Sequence, residues 1–206
     1  MYNPKAFQVE DLQIAINFMR TYNFATIVTQ GPDGLDVSHV PVIVREGAQG
    51  LPVLHAHLAR ANSQWQHFDG LREALIVFQG PHGYVSPSLY EVHPSVPTWN
   101  YQVVHAHGVP VVIEDPNEVR RHVLELVEQH ESGRPNRWVP DLPEDVLQSL
   151  FRQIVAIRID LQRVEVKFKL GQNRGKADRE SMARAFESSS ETSLQELGHS
   201  IRSTLA

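Results

Sequence analysis

The sequence predicts a mainly β protein, a barrel of strands with peripheral helices, and three observations lead there. Runs of β-branched and apolar residues recur along the chain. Turn signals built from Gly, Pro, Asp and Asn separate them, and helix-period stretches stand at the start and between the last two long strands.

The first element is a helix between residues 9 and 22, because Val9, Leu12, Ile16 and Met19 recur at helical spacing and share one apolar face. Phe24 to Gln30 and Leu35 to Arg45 flank Gly31-Pro32-Asp33-Gly34, which predicts a β-hairpin. Leu51 to His57 is a third strand, after which Asn62 can cap a short helix ending near Gly70. Ala74 to Gln79 reads as a buried strand broken by Gly80-Pro81-His82-Gly83, and the proline-rich segment 85–97 as a loop. Thr98 to Glu114 is the fifth strand, bent at Gly108-Val109-Pro110 because proline cannot donate to a central ladder.

Asp115-Pro116-Asn117-Glu118 then combines an N-cap, a first-turn proline and a capping-box glutamate, so a helix should run to about His130. A shorter helix follows Asp141-Leu142-Pro143-Glu144 and is expected to carry Val146, Leu150 and Phe151 inward. The last long strand is Ile154 to Lys169. Asp178 to Ser188 forms a helix, and the polar stretch Ser188 to Ser193 is a hinge before a last helical turn or two. The expected organisation is one domain over residues 1–175 with a C-terminal helical extension, 176–206.

Composition limits the partners. A chain of 206 residues can bury one real core, and 41% hydrophobic with 21% charged residues is ordinary for a globular protein. No apolar run approaches a membrane span and the start has no signal-like core, so a cytoplasmic protein is expected. Zero cysteines exclude disulfides, thiolate metal sites and a thiol nucleophile. The net charge of −5 opposes phosphate attraction, and no helix-turn-helix with a basic recognition helix is visible, so direct DNA binding is weakly supported. The densest basic stretch, Arg163 to Lys176, is either a local patch or an edge strand kept soluble by its cations.

Chemistry concentrates in Pro97-Thr98-Trp99-Asn100-Tyr101-Gln102-Val103-Val104-His105-Ala106-His107-Gly108. Side chains alternate along a strand, so Trp99, Tyr101, Val103, His105 and His107 share one face and Asn100, Gln102 and Val104 the other. A flat, aromatic and hydrogen-bonding face suits a planar heteroaromatic ligand, although Trp and Tyr of a half-buried strand also fill cores. His55-x-His57 and His105-x-His107 have metal-site spacing, but no acidic ligand is convincingly placed beside them, so they are read as lining or supporting groups and no metal is expected. No nucleophile elbow or phosphate loop occurs, and the catalytic residues stay unassigned.

Lys169-Leu170-Gly171-Gln172-Asn173-Arg174 closes the last long strand. With Pro97-Thr98-Trp99-Asn100-Tyr101, His57-Leu58-Ala59-Arg60-Ala61-Asn62-Ser63-Gln64-Trp65 and the N-terminal Met1-Tyr2-Asn3-Pro4, it resembles the PaiB-like family of FMN-binding negative transcriptional regulators. The resemblance runs in the same order from Met1 to about Arg179. Gly171, where Ser is common, and Val37-Ser38-His39-Val40-Pro41, where Ala-Thr-His-Leu-Pro is more usual, depart from the pattern.

The resemblance implies an FMN-binding split β-barrel of the pyridoxamine-phosphate-oxidase-like type, α+β in class. It also implies a homodimer with flavin sites at the subunit interface, and a repressor role linked to protease production and sporulation. FMN contacts carry over to Arg60 and Asn62 for the phosphate, with Ser38, His39 and His57 on neighbouring strands, then to Trp99, Asn100 and Tyr101, and to Lys169, Gln172 and Asn173 for the ring edge. The alternatives are an FMN-dependent reductase or oxidase of a small molecule, or a haem-binding relative.

Overall fold

The structure, a computed structural model, describes residues 1–47 and 50–205. Helix α1, Leu12–Thr21, follows a 3-10 turn at Lys5–Phe7 and buries Ala15, Phe18 and Met19. Strands β1, Phe24–Gly31, and β2, Gly34–Pro41, pair from Phe24↔Pro41 to Gly31↔Gly34 across the Pro32-Asp33 turn, as the turn signal predicts. Strands β3, Ile43–Arg45, and β4, Val53–Ala59, form the next antiparallel pair. Strand β5, Ala74–Val85, is followed by a 3-10 turn at Pro87–Leu89, and β6 spans Thr98–Val112. Helices α2, Pro116–Glu131, and α3, Glu144–Phe151, precede β7, Ile154–Lys169, and helices α4, Lys176–Glu187, and α5, Thr192–Ser203, follow it. The Asp115 side chain accepts from the Asn117 N–H at 2.9 Å, so the predicted cap of α2 is in place and contributes about 1 kcal/mol.

The seven strands form one sheet in the order β2-β1-β5-β6-β7-β4-β3, antiparallel at β1–β2, β1–β5, β3–β4 and β4–β7. Its two outermost strands, β2 and β3, are joined through Val42 alone. Among the described residues β2 and β3 form no ladder, so the sheet is not closed, as in a split barrel. The chain divides into two units. One comprises Met1–Phe18, Phe78–His105 and Glu165–Ala206, the other Met19–Val77 and Ala106–Val164.

In the second unit β6 passes close to β7 at Gly108, where a Cβ would fall 2.4 Å from the Asp160 carbonyl oxygen. In the first, α4 and α5 pack Met182, Ala183, Phe186, Leu197 and Ile201 against Val85, Tyr90 and Leu170.

Four expectations need correction. The strand at Ala74 does not break at Gly80-Pro81 but continues to Val85. Its ladder with β1 covers only Leu75 to Val77, so the N–H that Pro81 lacks is not one that β1 would have used. The single strand expected from Leu35 to Arg45 divides at Val42 into β2 and β3, which take opposite margins of the sheet. The last helix is three turns long rather than one or two, because Leu197 and Ile201 give it a buried stripe. Val146 and Leu150 are not turned inward: they are 39% and 45% exposed and, with Trp138 and Leu142, leave an open apolar surface.

Candidate functional site

The second unit builds a corner at the end of β4. Ser38 on β2 is almost fully buried, and its Oγ accepts a hydrogen bond from Asn62 Nδ2 at 2.8 Å. Asn62 Oδ1 in turn accepts from the Gln64 N–H at 2.9 Å, capping the 3-10 turn Ser63–His67 that sequence spacing anticipated as a short helix. Gln64 is 2% exposed; its Nε2 donates to Thr29 Oγ1 at 2.9 Å, while its Oε1 has no partner. Arg60 leaves the strand beside this turn. Its Nε donates to the Arg152 carbonyl at 2.6 Å and its Nη2 to the Ile154 carbonyl at 2.8 Å, and its guanidinium lies 5.8 Å from the centre of the Trp65 ring.

These two hydrogen bonds leave further N–H groups on the guanidinium. Arg60, Trp65, Glu114, Phe151 and Arg152 line a cleft of about 510 Å³, within the usual range for small-molecule sites. Ser38 and Asn62 are joined to each other beside Arg60, and of the three only Arg60 lines the cleft. His39 does not join Ser38, because neighbours on a strand face opposite ways; its Nδ1 pairs with Thr26 Oγ1 at 2.9 Å on the exposed side of β2.

His57 is engaged elsewhere. Its Nδ1 lies 3.0 Å from Nε2 of His122 on α2, and His55, two residues before it on β4, sits beside Arg45, which is ion-paired with Glu125. Burial, then the Arg45 charge, lowers the His55 pKa to about 4. Burial, then the neighbouring His57, His55 and Arg45, lowers His122 to about 3, and burial lowers His57 as well. All three imidazoles are neutral at pH 7, as a buried polar pair beside a guanidinium requires. Sequence reading missed His122; its signal was a histidine on the inward stripe of α2 that holds Val119, Val123 and Leu126.

The first unit holds the other cluster. On β6 Asn100, Gln102 and Val104 are buried, whereas Trp99 is 53% exposed and Tyr101 and Val103 are half-buried, so the aromatic face is the outward one. Trp99 meets Tyr84 edge-on, ring centres 6.1 Å apart, and His82 at 6.3 Å. Lys167 donates to the Tyr2 carbonyl at 2.9 Å and sits 5.4 Å from the Tyr101 ring centre. Lys169 Nζ donates to Thr98 Oγ1 and, at 2.9 Å, to the Trp99 carbonyl, and burial lowers its pKa. Gln172 is used internally: its Nε2 donates to the Phe168 carbonyl at 2.6 Å and its Oε1 accepts from the Leu170 N–H at 2.8 Å. Asn173 and Arg174 come round beside Lys169 and Asn100 to line a smaller pocket.

Of the basic stretch, Lys167, Lys169 and Arg174 make contacts inside this unit, whereas Arg163 and Lys176 are exposed.

Residues 1–163 match the family described as "Putative FMN-binding domain". The chain belongs to this family. It is 33% identical over 179 residues to protease synthase and sporulation protein PAI 2 of Bacillus subtilis, covering 86% of this chain and 85% of that protein. A Saccharomyces cerevisiae protein is 36% identical over 110 residues, covering 50% of this chain and 65% of its own. Solved structures with the same fold include the flavocytochrome Anf3 of Azotobacter vinelandii, with a TM-score of 0.60, 13% identity and coverage of 79% and 69%. An FAD and haem binding protein of Mycobacterium smegmatis has a TM-score of 0.56, 14% identity and coverage of 79% and 73%.

The family match and the likeness to PAI 2 establish an FMN-binding protein of PaiB-like kind, as the sequence motifs predicted, and the solved neighbours share its split-barrel fold. The residues present fit that cofactor. In the second unit Arg60 keeps free donors at a cleft of suitable size, as a phosphate requires. Among the described residues no helix is long and apolar enough to cross a membrane.

Proposed function

We propose that the chain is a flavin-linked regulator resembling PAI 2, a homodimer whose FMN sites lie at the subunit interface. In the second unit Arg60, Asn62 and Ser38 receive the phosphate, with His39 and His57 as flanking groups on the neighbouring strands. In the first, Trp99 and Tyr101 meet a ring face, and Asn100, Lys169 and Asn173 offer donors or acceptors to its edge, with Gln172 shaping the turn that presents them. Bound FMN supplies redox chemistry, while the chain supplies orientation and hydrogen bonds. The observation that carries this reading is Arg60, pinned by two carbonyls yet with donors to spare at the mouth of a cleft in a member of an FMN-binding family.

The outward aromatic face of β6 supports the dimer, because exposed apolar patches mark interaction surfaces. The charge of −5 and the inward use of Lys167, Lys169 and Arg174 support regulation through a small molecule, a flavin state or a partner protein rather than through DNA contact. A visible spectrum of the purified protein with identification of the released cofactor tests the proposal. Flavin absorption and released FMN are expected. A Soret band, or no flavin uptake on adding FMN, refutes it, and turnover with reduced nicotinamide and a small acceptor would favour the oxidoreductase alternative.

A further inference from the structure

At the end of β7, Gly171 takes φ +86°, and the Arg174 N–H donates back to the Gly171 carbonyl at 2.8 Å. This turn brings the Arg174 guanidinium to 4.2 Å from the centre of the Tyr90 ring, with Nη1 donating to Ser95 Oγ at 3.2 Å. Across from it stands Lys169, two of whose three N–H groups are given to Thr98 Oγ1 and the Trp99 carbonyl. Between them is a pocket of about 190 Å³ with apolar walls from Tyr90, Val96 and Pro97. Its buried wall includes Asn100, 1% exposed, whose Nδ2 has the Met182 thioether at 3.8 Å, a weak acceptor. Among the described residues no carboxylate lines the pocket. The nearby Asp178 is committed elsewhere, its Oδ1 accepting from the Glu91 and Val92 N–H groups at 2.8 and 3.1 Å.

We infer that this pocket binds the carboxylate of a small organic acid, Arg174 and Lys169 holding the oxyanion, Asn100 adding a donor, and Tyr90, Val96 and Pro97 enclosing a short carbon chain. Two cations beside a buried amide with a weak partner, and no carboxylate among the lining residues, present a concentration of donors that an anion complements. An anion also offsets the burial that lowers the Lys169 pKa. The volume, below the few hundred Å³ of typical cofactor clefts, selects a small ligand. The inference rests on the flavin reading for its neighbourhood and refines it: the one N–H that Lys169 has left and the Asn100 amide go to a short carboxylic acid beside the flavin rather than to the ring edge, which leaves Asn173 as the edge contact of this segment.

The test is a titration of the full-length ¹⁵N-labelled protein, with and without FMN, using sodium propionate at constant ionic strength, and inorganic phosphate, FMN and riboflavin as competitors. Saturable shifts at the Gly171, Asn173 and Arg174 amides and the Asn100 side-chain amide are expected. The propionate Kd should rise about tenfold or more in Arg174→Gln and separately in Lys169→Gln, the spectra reporting that each variant is folded. Absence of saturation well above millimolar propionate, or unchanged affinity in both variants, overturns the inference. So does displacement of propionate by FMN but not by riboflavin, which would assign the cations to the FMN phosphate, or equal displacement by riboflavin, which would assign the pocket to the ring. Visible absorption of the same samples reports flavin separately, so a protein that binds propionate but no flavin would fail the flavin reading alone.

Discussion

Replacing Arg60 by Ala should separate a phosphate anchor from a structural side chain. In the folded protein the guanidinium ties Arg152 and Ile154 at the start of β7 through hydrogen bonds of 2.6 and 2.8 Å, and the side chain itself is exposed. Removing it returns those two carbonyls to water at the surface, so the loss of folding stability is small, about 1 kcal/mol. A charge-assisted contact to the FMN phosphate is worth more, about 1.5 to 3 kcal/mol, which is a weakening of roughly tenfold to a hundredfold in Kd. Riboflavin has no phosphate, and its affinity should stay within about twofold. Flavin-fluorescence titrations of the wild type and the variant with both ligands measure the difference. Unchanged FMN affinity would refute the anchor, and an equal loss for FMN and riboflavin would show that Arg60 acts only by holding β7.

Other outcomes follow from the same geometry. Gly108→Ala places a Cβ 2.4 Å from the Asp160 carbonyl oxygen, which is backbone and cannot turn aside. A cost of about 2 to 3 kcal/mol should lower the calorimetric Tm by roughly 5–10 °C in a chain of this length. The neutral imidazoles make stability fall with acid: unfolded histidines take up protons near 6.5, whereas His55 resists to about 4 and His122 to about 3. The unfolded state therefore binds more protons between these limits, so urea midpoints should drop from pH 7 towards 4, and His122→Leu should flatten that slope. Sedimentation should give twice the 23.3 kDa chain mass, and Trp99→Glu should shift the protein towards monomer. Anisotropy titrations with generic duplex DNA at about 150 mM salt should show no submicromolar binding; tight binding abolished by reversing Lys167, Arg174 and Lys176 would contradict the charge argument.

Much of the fold was legible because its signals are local. The Gly31-Pro32-Asp33-Gly34 turn, the Asp115 cap and the alternation along Trp99 to Val104 each act over a few residues, and each appears where it was expected. What local pattern could not carry was partnership. Pro81 looked like a strand end because its missing N–H matters only where a neighbour pairs, and sequence does not say where β1 stops. At the site, the motif residues themselves were visible, but His122 meets His57 from 65 positions away, and the two backbone clasps on the Gln172 amide depend on a turn set by Gly171. Residue type showed what each group could donate or accept, and only the fold shows which of those capacities are already used.

The alternation along β6 has a consequence for how this strand tolerates change. Asn100, Gln102 and Val104 are buried while Trp99, Tyr101 and Val103 look outward, so adjacent codons answer to different selection. A saturation library over this stretch, sorted once for soluble abundance and once for retained flavin fluorescence, would give two interleaved combs of sensitivity, with even positions failing the first sort and odd positions only the second. A lineage could therefore retune what the outward face recognises by drifting at every other residue, at little cost to the barrel that carries it.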